Sequence, residues 1–200
     1  MKLPKRNLIS DKKTINKNLS YEQHPCWFKP NGLWYSCYNA WFDKIMGNNM
    51  NNKMQKYIHK LNLRKNSLTT LDKPDREKIL VINKEEDIKK FTKKYRDKRI
   101  KFEKTVLKAN NFPKLIIDNS IIDWEKVAKD YGGIEFCPYI PIEYNGDPKT
   151  TNYRYQWYNT IDVSSGCIWN VKDILNSSQI IYKRVKNKYE KVNNNNNNNR

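Results

Sequence analysis

Eight of the residues between Tyr21 and Phe42 are aromatic, and no other stretch of the chain matches that density. Each such ring carries roughly 150–250 Å² of surface that must be taken out of water, so the segment has to form part of a core. Pro30-Asn31-Gly32 reads as a turn, Leu33 to Ser36 after it as a strand, and Asn39 as the cap of a short helix, Ala40 to Met46, stopped by Gly47. The same economy holds for the whole chain: only 38% of its 200 residues are hydrophobic, but six Trp, thirteen Tyr and six Phe are among them. A chain of this length buries about 70% of its unfolded surface, which is enough for one core.

Periodicity divides the rest of the chain. Residues 1–20 are Lys- and Asn-rich without a sustained period and read as a flexible basic arm, so the folded part is expected to start at Tyr21. Met54 to Leu63 fits a strand or a helix. Ile79 to Ile82 reads as a buried strand, and Asn83 with Glu86 as a capping box that opens a long helix through Ile88, Phe91, Tyr95, Phe102 and Val106, bent or broken near Arg99. Leu115 to Ile117 reads as a strand. Asp123 caps a helix with Trp124, Val127, Ala128 and Tyr131 on one face, closed by Gly132-Gly133. Ile134 to Cys137, Tyr153 to Val163 and Cys167 to Asn170 read as strands, with Ser164-Ser165-Gly166 as a tight turn before the last. Ile180 to Val192 fits either periodicity, and the Asn run from Asn193 to Asn199 has no side chain to bury. The expectation is a single α+β domain over residues 21–182 with a mixed or antiparallel sheet and a few helices. A basic arm (1–20) and a basic, Asn-rich tail (183–200), both disordered, flank it.

The net charge is +18, but 31 Lys stand against 8 Arg, and Lys, Asn and Ile are all favoured by AT-rich coding. Arg is the residue suited to bidentate phosphate and guanine contacts. The charge supports weak, salt-sensitive nucleic-acid association through the Lys/Arg-rich segments 89–104 and 183–188. Between Ile117 and Cys167, by contrast, eight acids outnumber four bases, so a basic periphery surrounds a less basic centre.

Cys26, Cys37, Cys137 and Cys167 form no C-x-x-C pair, and no apolar leader opens the chain, which points to reduced thiols in an intracellular, non-secreted protein. No apolar run approaches the ~20 residues of a membrane helix, so no membrane partner is expected. His24, Cys26 and Cys37 lack the second ligand pair of a structural zinc site, and no metal is expected. No P-loop, dinucleotide-binding glycine motif or H-E-x-x-H is present.

Lys29-Pro30-Asn31-Gly32-Leu33-Trp34-Tyr35-Ser36, followed by Trp41, resembles the K-P-x-G-L-W-x-S motif and subsequent Trp of a family of phage and large-DNA-virus proteins. The likeness continues at Ile122-Asp123-Trp124, at Tyr131-Gly132-Gly133-Ile134 and from Ile161 to Asn170, which is similar to that family's W-D-x-x-S preceding an apolar strand. The order of these elements resembles ADP-ribosyltransferase-like folds, and the resemblance implies NAD as the substrate. On the same resemblance, His24 would bind NAD, Ser36 or Tyr35 would act from a strand, and a late acid would orient the nicotinamide ribose. Trp34, Tyr35 and Ser165 would contact NAD. This chain departs from the motif, with Ile161 in place of the Trp and Ser164 where some relatives carry an acid, so the carboxylate role would pass to Glu135 or Asp162. Location in host cytoplasm or virion is also implied. Two other readings stand beside it: a basic accessory protein that associates with nucleic acid, and a packaged structural protein without catalysis.

Overall fold

The computed structural model describes residues 5–24, 29–47, 55–97, 121–142, 155–186 and 188–192. Among these, nine strands form one mixed sheet. They are β1 (Arg6–Ser10), β2 (Leu33–Cys37), β3 (Tyr57–Leu63), β4 (Leu68–Thr69), β5 (Asp75–Val81), β6 (Tyr131–Phe136), β7 (Ser165–Ile168), β8 (Leu175–Val185) and β9 (Lys188–Lys191). The helices are α1 (Ala40–Gly47), α2 (Glu85–Tyr95), α3 (Trp124–Asp130), α4 (Gln156–Asn159) and α5 (Val171–Ile174). Strand order is β4-β5-β6-β7-β2-β1-β3-β8-β9. The first three strands of that order run parallel, and every other pairing is antiparallel. The chain is thus an α+β fold, as its mixed periodicities indicate.

Alternation along the strands sorts the side chains onto two faces. One face carries Leu80, Ile82, Ile134, Phe136, Cys167 and Trp169 and is covered by the apolar sides of α2, α3 and α4. Helix α2 turns Ile88, Phe91, Thr92 and Tyr95 inward, with acids in its first turn and Lys93 and Lys94 in its last, complementing the helix dipole at both ends. Phe91, Trp124, Phe136 and Trp157 meet with ring centroids 5.1–6.1 Å apart in tilted and edge-on pairs. The indole N–H of Trp157 is satisfied by Thr92 Oγ1 at 2.8 Å, so burying that ring orphans no donor. The other face packs Leu8, Tyr35, Leu61, Ile79 and Ile168 against α5.

Several sequence expectations need correction. The fold begins before Tyr21, because β1 lies in the interior of the sheet between β2 and β3. Its five residues hold too few apolar side chains to show a period, and its strand partners lie more than twenty residues away. Past residue 182 the chain continues β8 and adds β9, while the Asn run lies outside the described residues. Tyr131-Gly132-Gly133 does not close α3 but opens β6, since a Cβ at Gly132 would fall 2.3 Å from the Arg76 carbonyl oxygen on the neighbouring strand. Ser165 and Gly166 lie within β7 rather than in a turn. The segment expected as a strand from Tyr153 holds α4, whose Trp157 and Tyr158 are drawn into the aromatic core. The Asn83 capping box is absent, as α2 starts after Lys84 without a side-chain cap. The stretch from Lys98 to Ser120, with the expected helix extension and the Leu115 strand, lies outside the described residues. The Asp123 cap is present, its carboxylate accepting from the Lys126 amide at 3.0 Å.

Candidate functional site

Register across the middle of the sheet places Tyr35 opposite Gly166 and Gly166 opposite Glu135. Tyr35 crosses the bare glycine and donates its hydroxyl to Glu135 Oε2 at 2.7 Å. From β1, the strand beyond β2, Arg6, paired in register with Cys37, donates Nε to Oε2 at 2.6 Å and Nη2 to Oε1 at 3.0 Å. Four adjacent strands, β1, β2, β7 and β6, therefore converge on one carboxylate, on a residue that is 1% exposed.

The bidentate geometry offsets a large cost of burying two charges. Burial is the strongest single influence and works against the Arg6 charge, but the hydrogen bond to Glu135 and the charge and hydrogen-bond interactions with Tyr35 and Glu135 together outweigh it and hold the guanidinium cationic. Burial, followed by the Glu135 charge, pushes the Tyr35 hydroxyl well above the usual phenol range, so Tyr35 stays a donor. As arranged, the carboxylate holds its neighbours in place: both of its oxygens are engaged.

Beside this triad Cys37 and Cys137 form a disulfide with Cα atoms 6.2 Å apart. This corrects the expectation of reduced thiols for that pair; Cys167 is free and buried, and Cys26 is outside the described residues. The bridge ties β2 to the residue that comes directly after β6, across the Ser164 end of β7. Ligand atoms of Cys37, Cys137 and Glu135 gather within 4.8 Å of one another. With the sulfurs bonded to each other and the carboxylate held by Arg6 and Tyr35, that set is already committed.

Of the residues singled out in the sequence, the structure brings together Tyr35 and Glu135. Ser36 points to the opposite face, buried, with its hydroxyl 3.4 Å from the Asn7 carbonyl oxygen. Ser165, its partner in register, donates to the Val163 carbonyl. Trp34 also alternates away from Tyr35, donating its indole N–H to the Pro30 carbonyl beneath Lys29. His24 is exposed near the Trp169 end of β7, and Asp162 is exposed before the Ser165 end, so His24, Ser36, Glu135 and Asp162 do not share a cleft. Arg6, which completes the triad, carries no local signal: nothing in a Lys/Arg-rich arm marks one cation as the partner of an acid 129 positions away.

Arg6 also lines a groove of about 730 Å³ bounded by β1, β3, the β3–β4 turn and β5. Its cations are Lys5, Arg6, Lys60, Arg64 and Lys78, and among the described residues no carboxylate lines it. Glu135 offsets Arg6 and Asp75 pairs with Lys78 at 2.7 Å, so Lys5, Lys60 and Arg64 supply the excess charge. A second cleft of about 620 Å³, at the Trp169 end of β7, mixes Arg76, Lys129 and Lys172 with Glu22, Glu77, Glu125 and Asp173. The first suits an anion, while the second has no dominant sign. Comparison with protein-family models, with curated protein sequences and with solved structures found no match for this chain.

Proposed function

We propose that this is a basic accessory protein that binds nucleic acid, with phosphates seated along the groove beside β1 and β3. The observation that carries this reading is a concave surface lined by five cations and, among the described residues, no acid, on a chain of net charge +18. Neutralised phosphates release counterions, so affinity should fall steeply with salt. Anisotropy of a labelled oligonucleotide, titrated at several salt concentrations, tests it. Lys60→Gln with Arg64→Gln should weaken binding and flatten the log–log salt slope by about one to two. Salt-insensitive binding, or a double variant with the wild-type slope, would remove the proposal.

A second reading keeps the NAD-acting, ADP-ribosyltransferase-like class of viral protein. It is favoured by the meeting of Tyr35 with Glu135, two residues to which the resemblance assigns roles, joined through Arg6 to a groove whose volume lies in the range of small-molecule sites. NAD titration followed by Trp fluorescence decides it: a saturable change is expected, and a flat response excludes this reading. The remaining reading, a packaged structural protein, predicts neither signal.

A further inference from the structure

Tyr38 is the most exposed of the large hydrophobic residues described, at 56%. Its backbone is left-handed, with φ of 51°. Among the described residues only Asn66 and Lys186 share that region without being glycine. Asn tolerates it well, and Lys186 sits in the β8–β9 hairpin, where such angles are needed. A bulky aromatic gains nothing locally from this conformation, and its ring is not consumed by the core.

The strain is held in place from two sides. The Tyr38 amide donates to the Lys5 carbonyl at 3.1 Å, and Nδ2 of Asn7, a fully buried residue, donates to the Tyr38 carbonyl at 2.8 Å. Lys5 is itself one of the cations of the groove, so the backbone of Tyr38 is bonded directly to that of a residue lining the anion-binding surface. Strained, over-determined positions concentrate where function needs a side chain aimed.

We infer that Tyr38 is a stacking platform for an unpaired nucleobase of a single strand whose phosphates run along the Lys5–Lys60–Arg64 groove. The inference rests on the nucleic-acid reading above and adds the part of the ligand that the cations do not recognise. Every base offers a π-face, so the platform tolerates any sequence and requires the base to be unstacked from a duplex.

The test compares wild type, Tyr38→Gly and Tyr38→Trp with two labelled probes, a short oligothymidylate and an abasic oligomer of the same length. Wild type should prefer the oligothymidylate. Tyr38→Gly should lose on the order of tenfold in affinity for it while binding the abasic probe unchanged. Tyr38→Trp should restore the preference. Because glycine occupies the left-handed region without penalty, Tyr38→Gly should melt no lower than wild type, which separates loss of stacking from loss of fold. Equal affinity of wild type for both probes, or an equal loss on both in Tyr38→Gly, overturns the stacking role and leaves the groove standing. Failure of wild type to bind either probe in a salt-dependent way overturns the groove and the platform together.

Discussion

The phenolic oxygen of Tyr35 lies 2.7 Å from Oε2 of Glu135 although a whole strand separates the two residues in the sheet. The gap is bridged because the intervening residue is Gly166. A Cβ there would fall 2.4 Å from both Cζ and Oη of Tyr35. Gly166→Ala should therefore displace the ring and lower stability by about 1–3 kcal/mol, the usual range for overpacking. Urea denaturation reads this as a lower midpoint, and an unchanged midpoint would mean that the ring does not cross the glycine.

Removing one member of the buried ion pair should cost more than removing both. Arg6→Met leaves the Glu135 carboxylate, 2% exposed, without its cation, which is expected to cost about 3–5 kcal/mol. Arg6→Met combined with Glu135→Gln removes the uncompensated charge and should cost clearly less than the sum of the two single changes. A double-mutant cycle by chemical denaturation measures this, and simple additivity would refute the coupling.

The Cys37–Cys137 bridge closes a loop with a sequence separation of 100. By the chain-entropy estimate, a closure of that length restricts the unfolded state by about 4–5 kcal/mol. Oxidised protein should unfold at a higher denaturant concentration than protein kept in reductant. A Cys37→Ser/Cys137→Ser variant should be indifferent to reductant. Identical midpoints for oxidised and reduced wild type would show that the two sulfurs are not bonded in solution.

His59 makes the fold sensitive to acid. The residue is buried in β3, its Nε2–H donates to the Lys12 carbonyl at 2.9 Å, its Nδ1 has no hydrogen-bond partner among the described residues, and the Tyr57 ring packs edge-on to it. Burial lowers its pKa below the ordinary 6.5, only partly countered by the bond to Lys12. The unfolded chain therefore takes up this proton first as pH falls. The contribution is fully present above about pH 6.5 and is lost as pH drops through the depressed folded value. His59→Phe should flatten the stability–pH curve between about pH 7 and 5 relative to wild type. A wild-type curve already flat in that window would contradict the burial argument.

Short-range signals were legible in the sequence. The turn at Pro30-Asn31-Gly32 leads into β2, one residue longer than expected, and α1 ends at the glycine that marks it. Asp123 caps α3 because cap and partner lie three residues apart. The sequence misleads where one residue type serves two purposes. Gly132, Gly133 and Gly166 carry the composition of helix stops and turns, but here they let neighbouring chains approach within a sheet, and that need exists only once the sheet is assembled. Trp157 and Tyr158 favour a strand by propensity and sit in α4 because the aromatic core captures them.

The same division runs through the candidate site. Tyr35 and Glu135 stand out in the sequence, but as members of a set with His24, Ser36 and Asp162 that the fold disperses over two faces and two ends of the sheet. Arg6, Lys5, Lys60 and Arg64 are anonymous members of a basic composition until β1 is laid between β2 and β3.

The sequence alone determined that the chain would fold around aromatic side chains into an α+β domain, since burying those rings is a property of composition and short-range pattern. Which cation meets the buried carboxylate, which cysteines are bonded and where uncompensated charge gathers were decided by tertiary structure. Those outcomes depend on strand order and register between residues far apart in the chain: Glu135 lies 100 positions from Tyr35 and 129 from Arg6. No local free energy encodes them.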